Sequence, residues 1–162
     1  MRISFDLDDT LICRQVGAKY ERDRVPWLLR LWLNETLRLG TRFLINHLQQ
    51  SEHEIWIYTT SYRHPFMVKL WLRCYGIKVV NVVNQKIYDR YTQYNKSGHR
   101  PSKNPKLFNI DLHIDDSIGV KMEGDRYGFK VLTIEPNDLA WVDKVIKTVN
   151  AFEDRTSLFE PL

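Results

Sequence analysis

The chain has 162 residues, of which 43% are hydrophobic and 27% are charged, and this is the make-up of one globular domain with its own core. No run reaches the roughly 18 apolar positions of a membrane span, and the first residues lack a signal-peptide pattern. Cys13 and Cys74 lack metal-site spacing, so we expect reduced thiols in a cytoplasmic protein. The net charge of +4 weakly favours an anionic partner.

Short apolar runs alternate with helical patterns along the chain. In chain order, the predicted elements are a strand at Ile3–Leu7, a helix at Leu39–Gln50, a strand at Ile55–Thr59, a helix over 66–74, strands at Val79–Val83, Leu112–Ile114 and Val131–Ile134, and a last helix that Asn137 would cap. Strands that are apolar throughout and separated by helices indicate a parallel sheet. We expect a single doubly wound α/β domain over 1–162, with about five parallel strands, helices on both faces and no separate cap domain.

Two segments fit this alternation poorly. Residues 12–37 include "VPWLLRLWL", whose apolar side chains nearly encircle a helix and favour burial on more than one side; a lid or an oligomer surface are alternatives. Residues 84–104 are polar, with Tyr88, Tyr91 and Tyr94 among basic residues, a pattern typical either of a base-stacking surface or of ordinary loop packing. Neither segment is long enough to form a globular cap.

Polar residues follow the predicted strands at their carboxyl ends. They are Asp6 and Asp8 at the end of the first strand, Thr59 at the end of the second, Asp115 and Asp116 at the end of the fourth, and Lys103 in the connection before the fourth. In a parallel sheet these ends meet at one edge, where ligands bind. So many carboxylate oxygens together require a cation, and hard oxygen ligands suit Mg²⁺. A hydroxyl and an ammonium beside the cation would complete a site for a phosphoryl group.

Four short motifs resemble those of the haloacid dehalogenase-like (HAD) superfamily, and they occur in the family's order. They are "DLDDT" at 6–10, "IYTTS" at 57–61, Lys103 and "HIDDS" at 113–117. The resemblance spans 3–134, and within the superfamily the chain looks most similar to the small capless phosphatases. It implies a Rossmann-like fold and a phosphoryl-transfer activity that depends on Mg²⁺.

The resemblance implies a role for each acidic residue. Asp6 would attack phosphorus and form an aspartyl-phosphate, and Asp8 would protonate the leaving oxygen and then activate water. Asp6, the backbone carbonyl of Asp8, and Asp116 would hold Mg²⁺, whereas Asp115 would bind it through water.

The resemblance also implies the phosphate-binding residues. Thr59, with Thr60 beside it, would bind the phosphoryl group, and Lys103 would offset the charge of nucleophile and phosphate together. Lys106 is an alternative to Lys103, because "KNPKLF" allows either lysine to point inward.

Three neighbouring residues have a plain structural interpretation as well as a functional one. His113 precedes Asp115 by two positions, and we expect a structural strand histidine. Arg63 and His64 follow the second strand, where they would either touch substrate or form an exposed helix start.

The predicted function is that of a Mg²⁺-dependent phosphatase, on a substrate with a large or exposed phosphate such as a phosphoprotein, a nucleotide or a nucleic acid end. Alternatives are a phosphotransferase with the same aspartyl-phosphate, and a non-catalytic phosphate-binding scaffold. A signalling receiver domain fits less well, because its lysine follows its threonine on the last strand, whereas Lys103 precedes the final acidic pair. The sequence leaves a nucleic-acid partner and a homo-oligomer open, and it predicts no membrane partner.

Overall fold

A computed structural model describes residues 1–15, 17–31, 34–93 and 100–157, the side chains of 155–157 excepted. Its centre is one sheet of five parallel strands: β1 (Arg2–Phe5), β2 (Glu54–Tyr58), β3 (Asn81–Val83), β4 (Leu112–Asp115) and β5 (Val131–Thr133). Their order in the sheet is β3-β2-β1-β4-β5. The predicted doubly wound α/β fold is therefore confirmed.

Helices connect the strands and cover the sheet. They are α1 (Thr41–Gln50), α2 (Pro65–Cys74), α3 (Gln85–Thr92), α4 (Ile118–Tyr127) and α5 (Trp141–Ser157), with a 3₁₀ turn at Pro105–Phe108. Helix α1 packs against β2 and α5, α2 against β3, and α4 against β5. The chain places β2 and β3 on one side of β1 and then crosses back to place β4 and β5 on the other side. Because the crossovers in such sheets are right-handed, the connections made in the two directions lie on opposite faces of the sheet.

The core lies around the two central strands. Ile3 and Phe5 of β1 are fully buried, and so is Ile114 of β4. Burial on both faces explains why these strands are mainly apolar, and their buried polar residues Ser4 and His113 bond to each other. Asp6 and Thr59 follow directly after β1 and β2, so the strands bring their polar ends to one edge of the sheet.

The prediction of a helix in "VPWLLRLWL" is wrong for the described part of that segment. Residues 27–31 form turns, and the side chains of Trp27, Leu28 and Leu31 are exposed. Only Val25 is buried within the described residues of 25–33, because Pro26 lets the chain turn away after it. Trp32 and Leu33 lie outside the described residues.

The polar segment 84–104 contains α3, which the sequence did not predict. Tyr88 faces inward and is buried, and its hydroxyl donates a hydrogen bond to the Pro101 carbonyl oxygen at 2.6 Å. It therefore cannot stack on a base, whereas Tyr91 is exposed and packs on Phe108. Tyr94 lies outside the described residues.

The last helix starts later than predicted. Asn137 does not cap it; Asp138 Oδ1 instead accepts a hydrogen bond from the backbone N–H of Ala140, directly before α5. Among the described residues, no helix is both long and apolar enough to cross a bilayer.

Candidate active site

Lys103 lies at the centre of a buried charged cluster. Its Nζ donates to Asp6 Oδ1 at 2.5 Å and to Asp115 Oδ2 at 2.6 Å. The three side chains are almost completely buried, and they come from the end of β1, the connection before β4 and the end of β4. The sheet thus gathers three of the residues predicted from the sequence, which lie up to 109 positions apart.

Lys106 has a different position. It is exposed in the 3₁₀ turn, with its Nζ beside Gly128. Of the two candidate lysines, Lys103 is therefore the one that contacts the acidic residues.

The cluster carries one positive and two negative charges, and burial affects its members unequally. Burial raises the pKa of Asp6 to about 7; Lys103 opposes this shift and Asp115 adds to it. Burial also raises the pKa of Asp115, but hydrogen bonds from His113 and the charge of Lys103 outweigh it and place the pKa below its usual range. The pKa of Lys103 is raised because its two carboxylates outweigh its burial. Asp6 is thus the under-compensated member of the cluster.

His113 supports this cluster from within the sheet. Its Nε2 lies 2.8 Å from Asp115 Oδ2, and its Nδ1 lies 2.8 Å from Ser4 Oγ. Burial lowers the pKa of His113, so the ring is neutral. A carboxylate only accepts, so Nε2 carries the hydrogen and Nδ1 accepts from Ser4. The predicted structural histidine thus orients Asp115.

Asp8 is bound by an arginine that the sequence left ambiguous. Both carboxylate oxygens of Asp8 accept from Arg63, at 2.6 and 2.8 Å, in the fork geometry that arginine forms with carboxylates. Arg63 also donates to Glu35 at 3.0 Å, and Glu35 accepts from Arg14 at 2.5 Å. These contacts connect the turn after β1, the loop before α2 and the segment 12–37.

Thr59 is buried, and its hydroxyl oxygen accepts from the backbone N–H of Ser61 at 3.1 Å. The hydroxyl hydrogen remains to donate, as a phosphate-binding group requires. Thr60 is exposed.

Asp116 belongs to the same edge of the sheet as Asp6. Its Oδ1 accepts a long hydrogen bond from Thr10 Oγ1, at 3.3 Å, which joins the first motif to the last. Burial raises the pKa of Asp116, and the charges of Asp115 and Asp9 add to this shift. Asp116 is thus a second carboxylate with incomplete compensation.

Asp6 and Asp116 are the residues that suit a divalent cation. A positive charge near them would relieve the burial and repulsion that raise both pKa values. In the part of the chain that the structure describes, no three Asp, Glu, His or Cys side chains form a metal-binding group by themselves. Mg²⁺ fits such a site, because it is commonly held by one or two carboxylates together with water and substrate phosphate.

Asp115 is the predicted ligand that the geometry favours least. One oxygen accepts from Lys103 and His113, and the other from the backbone N–H of Ser117 at 2.8 Å. These contacts occupy both oxygens of the carboxylate.

A cavity of about 390 Å³ lies beside Arg63, the residue that binds Asp8. Its walls come from the segment 12–37 and from the start of α2, and it is lined by Leu7, Leu31, Glu35, Arg63, Met67 and Trp71, among others. Trp71 Nε1 donates to the Glu35 carbonyl oxygen at 3.2 Å, so the two walls are joined.

Sequence reasoning did not identify the contacts of Glu35 and Thr10. Glu35 lies in a segment without periodicity, so nothing along the chain shows that it reaches Arg63. Thr10 belongs to the "DLDDT" motif, and its place directly after two aspartates is the sequence signal that could have marked it as a site residue.

No family model matches this chain, and no curated protein matches its sequence. Six chains of solved structures match its fold, including the following two. One is a predicted HAD-like family hydrolase from Porphyromonas gingivalis, with a TM-score of 0.50 and 13% identity over 91% of this chain and 97% of that one. The other belongs to a Pnkp1/Rnl/Hen1 complex, with a TM-score of 0.50 and 13% identity over 85% of this chain and 47% of that one. The chain thus has a HAD-like fold.

Proposed function

We propose that this protein is a Mg²⁺-dependent phosphatase of the HAD type, with Asp6 as its nucleophile. The observation that carries the proposal is the contact of Lys103 with Asp6 at 2.5 Å, at the sheet edge that also holds Asp116 and Thr59. A carboxylate held by an ammonium beside a free hydroxyl donor is suited to meet a phosphate. The HAD-like fold agrees with this activity.

The reaction has two displacements. An oxygen of Asp6 forms a bond to phosphorus while the ester bond breaks, and the leaving oxygen takes a proton from Asp8. Water then attacks the phosphorus of the aspartyl-phosphate, Asp8 takes a proton from that water, and inorganic phosphate leaves with Asp6 restored.

The other residues of the site bind and orient the reacting groups. Thr59 donates to a phosphoryl oxygen, and Lys103 balances the negative charge of Asp6 and the phosphate. Asp6, Asp116 and the backbone carbonyl of Asp8 would hold Mg²⁺, which neutralises charge on the phosphoryl oxygens.

Arg63 orients Asp8 for proton transfer. Because Arg63 binds both oxygens of Asp8, one of its two hydrogen bonds must give way when Asp8 meets the leaving oxygen. The remaining bond keeps the carboxylate in place. The Arg63 side chain is only partly buried, which leaves it room to release one of these hydrogen bonds.

The experiment that tests the proposal is hydrolysis of p-nitrophenyl phosphate, with and without Mg²⁺. We expect activity that excess chelator removes and that Mg²⁺ restores. Asp6→Asn should reduce kcat at least 1,000-fold, roughly the scale expected when a covalent nucleophile is removed.

Two lysine variants provide a matched control. Lys103→Met should lower kcat at least 100-fold, on the order of the loss of one charged group that stabilises the transition state. Lys106→Met should stay within about twofold of the wild type, because Lys106 is exposed and lies away from the cluster. Full activity of Asp6→Asn, or equal losses in the two lysine variants, would contradict the proposal.

A further inference from the structure

The cavity beside Arg63, which binds Asp8, gives the proposed phosphatase a place for the leaving group of its substrate. We propose that this cavity binds an apolar ring, so that the substrates are phosphate monoesters of ring-bearing alcohols; this inference rests on the proposed function. Its basis is the position of the cavity and the chemistry of its walls.

The position follows from the residue that the cavity shares with the catalytic groups. Arg63 contacts both oxygens of Asp8 and also lines the cavity. Leu7, which also lines it, stands between Asp6 and Asp8 in the chain. Since Asp8 protonates the leaving oxygen, the group bonded to that oxygen comes next to Arg63 and the cavity.

The chemistry follows from the lining residues. The apolar lining residues are Leu7, Ile12, Leu31, Met67, Val68 and Trp71, and the polar ones are Asn34, Glu35, Arg63 and His64. At about 390 Å³ the cavity lies at the small end of the roughly 300–1,000 Å³ typical of ligand sites, which is room for one or two rings. A polar leaving group such as a sugar would find few partners on the apolar walls.

The walls are built from two segments joined by specific contacts. Glu35 accepts from Arg63 through its side chain and from Trp71 Nε1 through its backbone carbonyl. The cavity is therefore held open between the segment 12–37 and α2, with Leu31 on the first side and Met67 on the second.

Two esters of primary alcohols isolate the contribution of the ring. Ethyl phosphate and 2-phenylethyl phosphate release similar alkoxides and differ by a phenyl group. We expect kcat/KM to be at least about tenfold higher for the phenyl ester, since even one methylene in an apolar pocket contributes roughly 10-fold or more. A ratio near one for the wild type would overturn the inference while leaving the proposed function intact.

Two leucines of one segment supply matched variants. The side chain of Leu31 is 82% exposed and lines the cavity, whereas that of Leu28 is 59% exposed and does not line it. Leu31→Glu should reduce the preference for the phenyl ester to about threefold or less by placing a carboxylate in the apolar lining. Leu28→Glu should leave the preference unchanged, and an equal loss in both variants would contradict the inference.

A binding measurement keeps this test separate from catalysis. Met67 lines the cavity, whereas Met122 is exposed on α4, so the methionine methyl signals of ¹³C-labelled protein report the two places separately. We expect 2-phenylethylphosphonate, which is not hydrolysed, to shift the Met67 signal but not that of Met122, and ethylphosphonate to shift it much less. Binding without hydrolysis of any ester would overturn the proposed function, and with it the substrate class, but would leave the cavity as a site for an apolar ring. Hydrolysis without a Met67 shift would overturn the cavity inference alone.

Discussion

Asp6 and Asp115 contact the same ammonium group, yet their environments differ. Asp115 accepts from Lys103, His113 and the backbone of Ser117, so its charge is well compensated. Asp6 has Lys103 as its charged partner, and its burial raises the pKa to about 7. A buried carboxylate with an under-compensated charge costs stability, and the proposed role of Asp6 as nucleophile would account for that cost.

This difference predicts that Asp6→Asn stabilises the metal-free protein near neutral pH. In the unfolded chain Asp6 loses its proton near its ordinary pKa of 3.8, whereas in the folded protein it keeps the proton until about pH 7. As pH rises through this window, the wild type therefore loses free energy of unfolding that the variant keeps. We expect a gain on the order of 2–3 kcal/mol at pH 8 and almost none at pH 4, measured by urea unfolding in chelator.

Asp115→Asn is the matched control for that measurement, with the opposite sign. The pKa of Asp115 is lowered, so its charge stabilises the fold above the ordinary pKa of 3.8 and this stability is lost as pH falls. We expect a loss of roughly 3 kcal/mol at pH 7, because Lys103 and His113 lose a charged acceptor. Stabilisation by this variant, or destabilisation by Asp6→Asn at pH 8, would show that the assignment of the two environments is wrong.

At the scale of elements, the sequence predicted the strands because burial on both faces leaves an unbroken apolar run. The same reasoning failed for the described part of 25–33, since an apolar run also arises where a turn exposes Trp27 and Leu31, the latter beside a cavity. It missed α3 because only Tyr88 and Thr92 are buried in that polar helix. Helical periodicity is weak when each of two turns buries only one side chain.

The residues of the site also divide into those that sequence patterns locate and those whose contacts only the structure reveals. The acidic pairs follow from strand ends, which sequence patterns locate, whereas Lys103 lies in a connection, where the sequence left Lys106 as an alternative. The contact between Arg63 and Asp8 depends on the reach of a long side chain, and that between Ser4 and His113 on the register of β1 with β4. Neither is determined by spacing along the chain.

Helix α4, which follows the second acidic pair, leads to a prediction about how closely it packs on β5. A Cβ at Gly124 would lie 2.7 Å from the carbonyl oxygen of Phe129 and 3.0 Å from Val131 Cγ2. Gly124→Ala should therefore destabilise the protein by about 1–3 kcal/mol, although alanine favours helices by about 1 kcal/mol. Thermal unfolding would measure the change.

Gly119 provides the control within the same helix. A Cβ there would meet only Ser117 Oγ, at 3.3 Å, and that side chain can adjust. Gly119→Ala should be neutral or slightly stabilising. If Gly124→Ala is as stable as Gly119→Ala, the close approach of α4 to β5 is not as the structure has it.

Over the whole molecule, the core that stabilises the fold is separate from the charged cluster of the candidate site. The core around β1 and β4 is apolar, and the charged cluster occupies one edge of the sheet. Metal at that edge would thus add stability to a domain that is already folded, rather than form the fold.

The whole-molecule prediction is a Mg²⁺-dependent rise in thermal stability. Binding to the folded state alone adds about 2.7 kcal/mol at a metal concentration 100 times Kd. For a chain of this size this corresponds to roughly 2–4 °C in Tm for each kcal/mol. Scanning calorimetry should show this rise for the wild type, a folded protein in chelator, and a much smaller rise for Asp116→Asn, which loses a charged ligand.

The pairing of β1 with β4 also determines when the site is complete during synthesis. Ser4 and His113 face each other in the sheet, yet 109 positions separate them. Contacts of such long range form late, since the loop between them must close first. A nascent chain that carries β1, β2 and β3 therefore holds Asp6, the proposed nucleophile, without Lys103, and the proposed site is complete only after synthesis of the last third of the protein.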